Sequence, residues 1–162
     1  MTLSAIPLTT ISGTTTTFGE FVGKVILVVN VASRCGYTPQ YEQLETLQKT
    51  YGSRGFSVLG FPSSQFKQEL DTDAEIADYC STTWGVTFPM FEKTDVNGEH
   101  ESPLFTHLKL STDVAGEAGD VAWNFEKFLI TPTGQVHRFR TDVEPDAPEI
   151  IGLIESSLPA AH

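Results

Sequence analysis

The sequence predicts an α/β fold built on a central mixed sheet flanked by helices, with a β-hairpin ahead of it. Three observations carry this prediction. Val25 to Val31 and Phe56 to Phe61 are nearly unbroken apolar, β-rich runs, the mark of strands buried on both faces of a mainly parallel sheet. A helical pattern lies between them. Downstream, Thr131-Pro132-Thr133-Gly134 separates two more strand-like segments, and a last amphipathic helix follows.

Taken in chain order, Leu8 to Ile11 and Thr15 to Phe18 flank Ser12-Gly13 and predict the N-terminal hairpin. The helix after the first buried strand is expected from about Thr38 to Tyr51. Thr38 can cap it, Pro39 suits its first position, and Tyr41, Leu44, Leu47 and Tyr51 form its apolar stripe. Thr72-Asp73-Ala74-Glu75 is a capping-box sequence that starts a second helix running to about Ser81, with Ile76, Tyr79 and Cys80 facing inward. Ser102-Pro103 starts a third, carrying Leu104, Phe105 and Leu108. Phe125 to Ile130 and Gln135 to Arg140 form an antiparallel hairpin. The last helix covers about Ala147 to Leu158 through Ile150, Leu153, Ile154 and Leu158. The order β-α-β, then α, then β-β-α is thioredoxin-like.

A chain of 162 residues, 40% hydrophobic, fits a single domain over 1–162 that needs no metal or disulfide staples. Its two cysteines are too few for a secreted disulfide scaffold, and the first residues show no basic, apolar leader. No run approaches the ~20 apolar residues of a membrane span. A cytoplasmic, reducing setting is therefore expected, where a disulfide would be transient and functional. The net charge of −11 opposes binding to nucleic acid.

Cys35 follows the first buried strand and precedes the Thr38 helix. A strand-to-helix loop is expected to be exposed, and the helix N-terminus favours a thiolate. Arg34 can add charge, and Gly36 lets backbone N–H groups approach the sulfur. A thiolate is the nucleophile that displacement at a peroxide oxygen requires; the competing reading is a buried cysteine filling a core gap. Cys80, on an apolar helix face, reads equally well as a core residue or as a second redox thiol. It could bridge to a loop cysteine only with the two Cα atoms within about 7 Å, so its helix is expected to unwind on oxidation. Gln65 and the pair Trp123-Asn124 border sheet strands and offer N–H donors that could reach the same sheet edge. His100, His107, His137 and His162 are scattered, and neither cysteine has a C-x-x-C partner, so no metal or organic cofactor is expected. Asp71, Asp73, Glu75 and Asp78 read as a solvated helix start.

These residues carry a resemblance to the glutathione peroxidase family. Lys24 to Tyr41, which includes Asn30-Val31-Ala32-Ser33-Arg34-Cys35-Gly36-Tyr37-Thr38, resembles the family's peroxidatic segment. Leu59-Gly60-Phe61-Pro62 with Gln65-Phe66 resembles its second motif, and Trp123-Asn124-Phe125-Glu126-Lys127-Phe128-Leu129-Ile130 its third. Trp84-Gly85-Val86-Thr87-Phe88-Pro89 is also similar. The resemblance implies a tetrad of Cys35, Gln65, Trp123 and Asn124, with Cys80 in the place of the resolving cysteine of cysteine-type, thioredoxin-dependent members. It implies reduction of hydrogen peroxide and organic hydroperoxides, recycling by thioredoxin or a similar thiol donor, and a monomer, because only a short stretch, Ser111 to Ala122, precedes the tryptophan motif. Ser63-Ser64 stands where many members have Cys-Asn, and Lys67-Gln68 where many have Gly-Gly, which is expected to alter the backbone around Gln65. The alternative in another class is a redox sensor that relays oxidation to a partner protein.

Overall fold

The computed structural model describes residues 2–159, so His162 lies outside the described residues. Strands β1 (Pro7–Thr9) and β2 (Thr15–Thr17) form the N-terminal hairpin, with Leu8 opposite Thr16. Strand β3 (Val25–Val31) leads into α1 (Gln40–Tyr51) and then β4 (Phe56–Pro62). Helices α2 (Asp73–Tyr79) and α3 (Pro103–Leu108) precede β5 (Lys127–Ile130), β6 (Val136–Phe139) and α4 (Pro148–Ser157).

The main sheet has the order β4-β3-β5-β6. β3 runs parallel to β4, and antiparallel to β5, which pairs antiparallel with β6. The sheet is thus mixed and thioredoxin-like, with one parallel pair rather than a mainly parallel set. Every residue of β3 and β4 is buried. Alternation along β3 explains why. Val25, Leu27, Val29 and Val31 pack with Tyr41, Leu44 and Leu47 of α1, Ile150 and Ile154 of α4, and both cysteines. Ile26 and Val28 face the other way, onto Leu104, Phe105 and Leu108 of α3 and onto the N-terminal hairpin. No helix among the described residues is long and apolar enough to cross a membrane.

The capping predictions hold at α2 and α3. Thr72 accepts the Glu75 N–H and Ser102 the Leu104 N–H. At α1 the prediction fails. The Thr38 hydroxyl does not cap; it accepts the Cys35 N–H at 2.9 Å and donates to the Ala32 carbonyl at 2.9 Å. The chain instead enters α1 through tight turns, Thr38 N–H to Cys35 O and Gln40 N–H to Tyr37 O. The strand predicted from Phe125 begins only at Lys127, because Phe125 has a left-handed backbone, φ 62°. The second helix also departs from prediction. Its α-form ends at Tyr79, and Cys80–Trp84 is a single π turn.

Candidate active site

The loop between β3 and α1 places Cys35. Arg34, Gly36 and Tyr37 around it are exposed, but the cysteine itself is 8% exposed. The expected open loop is therefore only a mouth. The Thr38 hydroxyl, by drawing in the Cys35 N–H, folds the loop back and turns the thiol toward the core. The Tyr37 N–H points at Cys35 Sγ, 3.4 Å away. A free N–H at a helix start aimed at sulfur stabilises a thiolate.

The loop after β4 sits alongside. Gln68 accepts the Arg34 N–H on its carbonyl and the Asn124 Nδ2–H on its Oε1, at 3.0 Å in the latter case. That contact ties the Cys35 loop to the Trp123-Asn124 bend. Lys67, next to Gln68, has φ 60°, a left-handed backbone that favours glycine.

The sequence-predicted donors occupy distinct places. Trp123 lies at the rim, 36% exposed, with its ring 5.3 Å from that of Phe66. Asn124 is fully buried; its Nδ2 goes to Gln68 and its Oδ1 has no partner. Gln65 does not reach the cysteine in this conformation. Its Nε2 donates to the Asn97 carbonyl, and its Oε1 accepts the Val96 and Asn97 N–H groups. Tyr37, Trp123, Arg140 and Asp142 line an open cleft of about 440 Å³ outside the Cys35 mouth.

Cys80 is 2% exposed and reduced, as is Cys35. It opens the π turn and packs in the same apolar cluster as Cys35. Burial pushes its thiol up to about 11, an effect that a nearby carboxylate, Glu69, adds to and that the Tyr41 hydroxyl partly offsets. The segment after it is held to α1. Glu45 accepts the Thr87 N–H and hydroxyl at 2.7 and 2.6 Å, and Trp84 stacks on Tyr41.

Sequence reasoning missed Glu69, Glu45, Glu126, Lys127 and Arg138 as parts of this architecture. Glu69 Oε1 accepts the Ser33 N–H at 3.0 Å and the Leu70 N–H at 2.8 Å, which fastens the Cys35 loop from below. Lys127 Nζ, inside the sheet, donates to the carbonyls of Phe125 at 2.7 Å and Thr141 at 3.1 Å. Glu126, Lys127 and Arg138 gave one signal, a charge among strand neighbours, as in Glu126-Lys127-Phe128 and His137-Arg138-Phe139; Glu45 and Glu69 gave none.

The glutathione peroxidase family model matches residues 3–109. The chain is 47% identical to thioredoxin/glutathione peroxidase BtuE of Escherichia coli, over 91% of this chain and 92% of that protein. It is 44% identical to hydroperoxy fatty acid reductase gpx1 of Synechocystis, over 91% and 90% of the two. The crystal structure of T. cruzi GPX1 superposes with a TM-score of 0.74 at 30% identity, covering 96% of this chain and 95% of that one.

Proposed function

Because the chain belongs to the glutathione peroxidase family, as a cysteine-type member, we propose that it is a thiol peroxidase in which Cys35 reduces hydroperoxides and Cys80 resolves the product. The observation that carries this reading is the pairing of the two thiols. One faces a backbone N–H at a strand-to-helix mouth; the other heads a π turn in the same apolar cluster. Single π turns at the end of an α-helix are rare and frequently lie at functional sites.

The Cys35 thiolate attacks one oxygen of the peroxide. The O–O bond breaks, water or an alcohol leaves with a proton, and the sulfur becomes a sulfenic acid. Cys80, released as the Cys80–Trp84 turn opens, condenses with it to a disulfide and a second water. Thioredoxin or a related dithiol then reduces the disulfide by exchange. The names of the Escherichia coli and Synechocystis relatives support thioredoxin as reductant and lipid-derived hydroperoxides among the substrates. Trp123, Asn124 and Gln65 are assigned to the peroxide pocket, with Gln65 exchanging its Asn97 carbonyl for the substrate. One main sheet that draws strands from both halves of the chain, with the N-terminal hairpin packed on its core, supports a single domain. The short 111–122 segment, folded back on β6, supports a monomer; a sequence with two cysteines, too few for a secreted disulfide scaffold, fits a cytoplasmic setting.

Intact mass after one equivalent of peroxide, without added thiol, tests the reading. Loss of two hydrogens, with both thiols blocked to alkylation, is the expected result. Cys35→Ser should consume no peroxide, and Cys80→Ser should be oxidised once yet fail to cycle. Full cycling of Cys80→Ser with thioredoxin would remove Cys80 from the mechanism. Oxidation without thioredoxin turnover in the wild type would favour the relay.

A further inference from the structure

The turn after β4 carries two glutamines, and their side chains serve different elements. The Lys67 N–H closes that turn on the Ser64 carbonyl at 2.8 Å, with Lys67 itself left-handed. Gln65, inside the turn, commits both ends of its amide to Val96 and Asn97. Gln68, just past it, meets the cysteine loop instead. Its carbonyl accepts the N–H of Arg34, the residue before Cys35, at 2.9 Å, and its Oε1 accepts the Asn124 Nδ2–H at 3.0 Å. Asn124 is fully buried, and its backbone is pinned separately by the Thr141 hydroxyl, which donates to the Asn124 carbonyl at 2.6 Å. The orientation of the Asn124 amide is then set by Gln68. Such an amide has an acceptor oxygen at one end and two N–H hydrogens at the other. The acceptor on Gln68 draws the NH₂ end and engages one of its hydrogens, which leaves the second available.

We propose that Gln68 is a positioning residue for peroxide reduction, orienting the Asn124 amide so that its second Nδ2 hydrogen meets the oxygen that leaves as the O–O bond breaks. The role deepens the peroxidase reading above and rests on its assignment of Asn124 to the peroxide pocket. The leaving oxygen gains negative charge in the transition state. An N–H already turned toward it stabilises that charge with no rearrangement during the step. Through its main chain Gln68 also holds Arg34, so the donor and the nucleophile's loop share one support. Movement of one against the other spoils alignment, to which such rates are steeply sensitive. Gln65 differs in that it must leave the Asn97 carbonyl before it can donate, whereas the Gln68–Asn124 pair is in place while both thiols are reduced.

Two rates at Cys35 test this: oxidation by hydrogen peroxide, and alkylation by iodoacetamide, which needs the thiolate but no donor to a leaving oxygen. Gln68 is half-buried, and Gln68→Leu keeps the backbone carbonyl that Arg34 uses while removing the side-chain acceptor. Its oxidation should fall about tenfold with alkylation at the wild-type rate. Asn124→Ala should lose at least as much, and the double variant no more than Asn124→Ala alone, because Gln68 acts through Asn124. Gln68→Glu, which keeps an acceptor oxygen, should recover most of the rate when each variant is compared on the plateau of its pH profile. An unchanged oxidation rate in Gln68→Leu, an equal loss of oxidation and alkylation, or independent losses in the double variant overturn the inference. Should Asn124→Ala misfold, a Gln68→Glu rate no faster than that of Gln68→Leu does the same. Peroxide consumption that survives in Cys35→Ser defeats the peroxidase reading instead.

Discussion

Asn30 in β3 holds Trp123 in place: its Nδ2 donates to the Trp123 carbonyl at 2.9 Å. Its Oδ1 accepts the Glu126 N–H at 3.1 Å, and its own carbonyl takes the Phe125 N–H at 2.6 Å. One buried side chain in the sheet centre thereby fixes the bend that presents Trp123 and Asn124, including the left-handed Phe125. Asn30→Leu keeps the shape and leaves a carbonyl and an N–H unpaired inside the protein. Urea unfolding should show a loss of about 2–4 kcal/mol. The peroxide rate of the folded variant should fall at least about tenfold as Trp123 and Asn124 shift. An unchanged rate would mean that the bend is set by the strands alone.

A second tether runs from β6. Arg138 and Glu126 are fully buried and joined at 2.6 Å, and the rest of the guanidinium donates to carbonyls of Ser111, Gly119 and Asp120. Arg140 adds bonds to Glu126 and Asp113. Arg138→Met leaves Glu126 with Arg140 alone and takes the guanidinium N–H groups from the carbonyls of Ser111, Gly119 and Asp120, so a loss of about 3 kcal/mol is expected. Amide hydrogen exchange should rise across 109–120 first. Uniform exchange through the sheet would show that this segment is not held by Arg138.

How much of this was legible depends on how local the cause is. β3 and β4 were readable because burial on both faces leaves unbroken runs, and α1 because Tyr41, Leu44, Leu47 and Tyr51 share one stripe. The Thr72 and Ser102 caps were readable because each acts within three residues. Thr38 carried the same local signal yet serves Cys35, since the loop's need for a partner outweighed the helix's. Cys80 was placed on a helix face, but nothing local announces a π turn. The second cysteine and the three motifs named the site residues. Engagements with distant backbone, as with Gln65 on Asn97 or the unforeseen Glu69 on Ser33, are not encoded in spacing.

Lys67 is one place where sequence and conformation disagree. A lysine at φ 60° costs about 1 kcal/mol that glycine does not. Lys67→Gly should therefore leave the turn closed by the Lys67 N–H and the Ser64 carbonyl and raise stability by a few tenths to about 1 kcal/mol, the glycine's extra chain entropy offsetting part of the gain. Thermal unfolding would show it. A drop in stability would indicate that the lysine side chain contributes more than its backbone costs.

Lys127 gives a pH dependence of defined sign. It sits on the Cys35 face of β5, fully buried, and burial holds its ammonium down at about 7, against the pull of Asp142, Glu126 and Glu144. The fold prefers the neutral amine, while the unfolded chain keeps its proton up to the ordinary lysine range near 10. Between these values the unfolded state binds more protons, so stability rises with pH and is lost as pH falls through 7. From pH 7 to 9, below the rise in Cys80 ionisation, the gain should reach about 2 kcal/mol. Lys127→Met should flatten that slope in urea titrations across the same window. It should also loosen the carbonyls of Phe125 and Thr141 that the amine now joins, and a slope that persists in the methionine variant would assign the effect to another group.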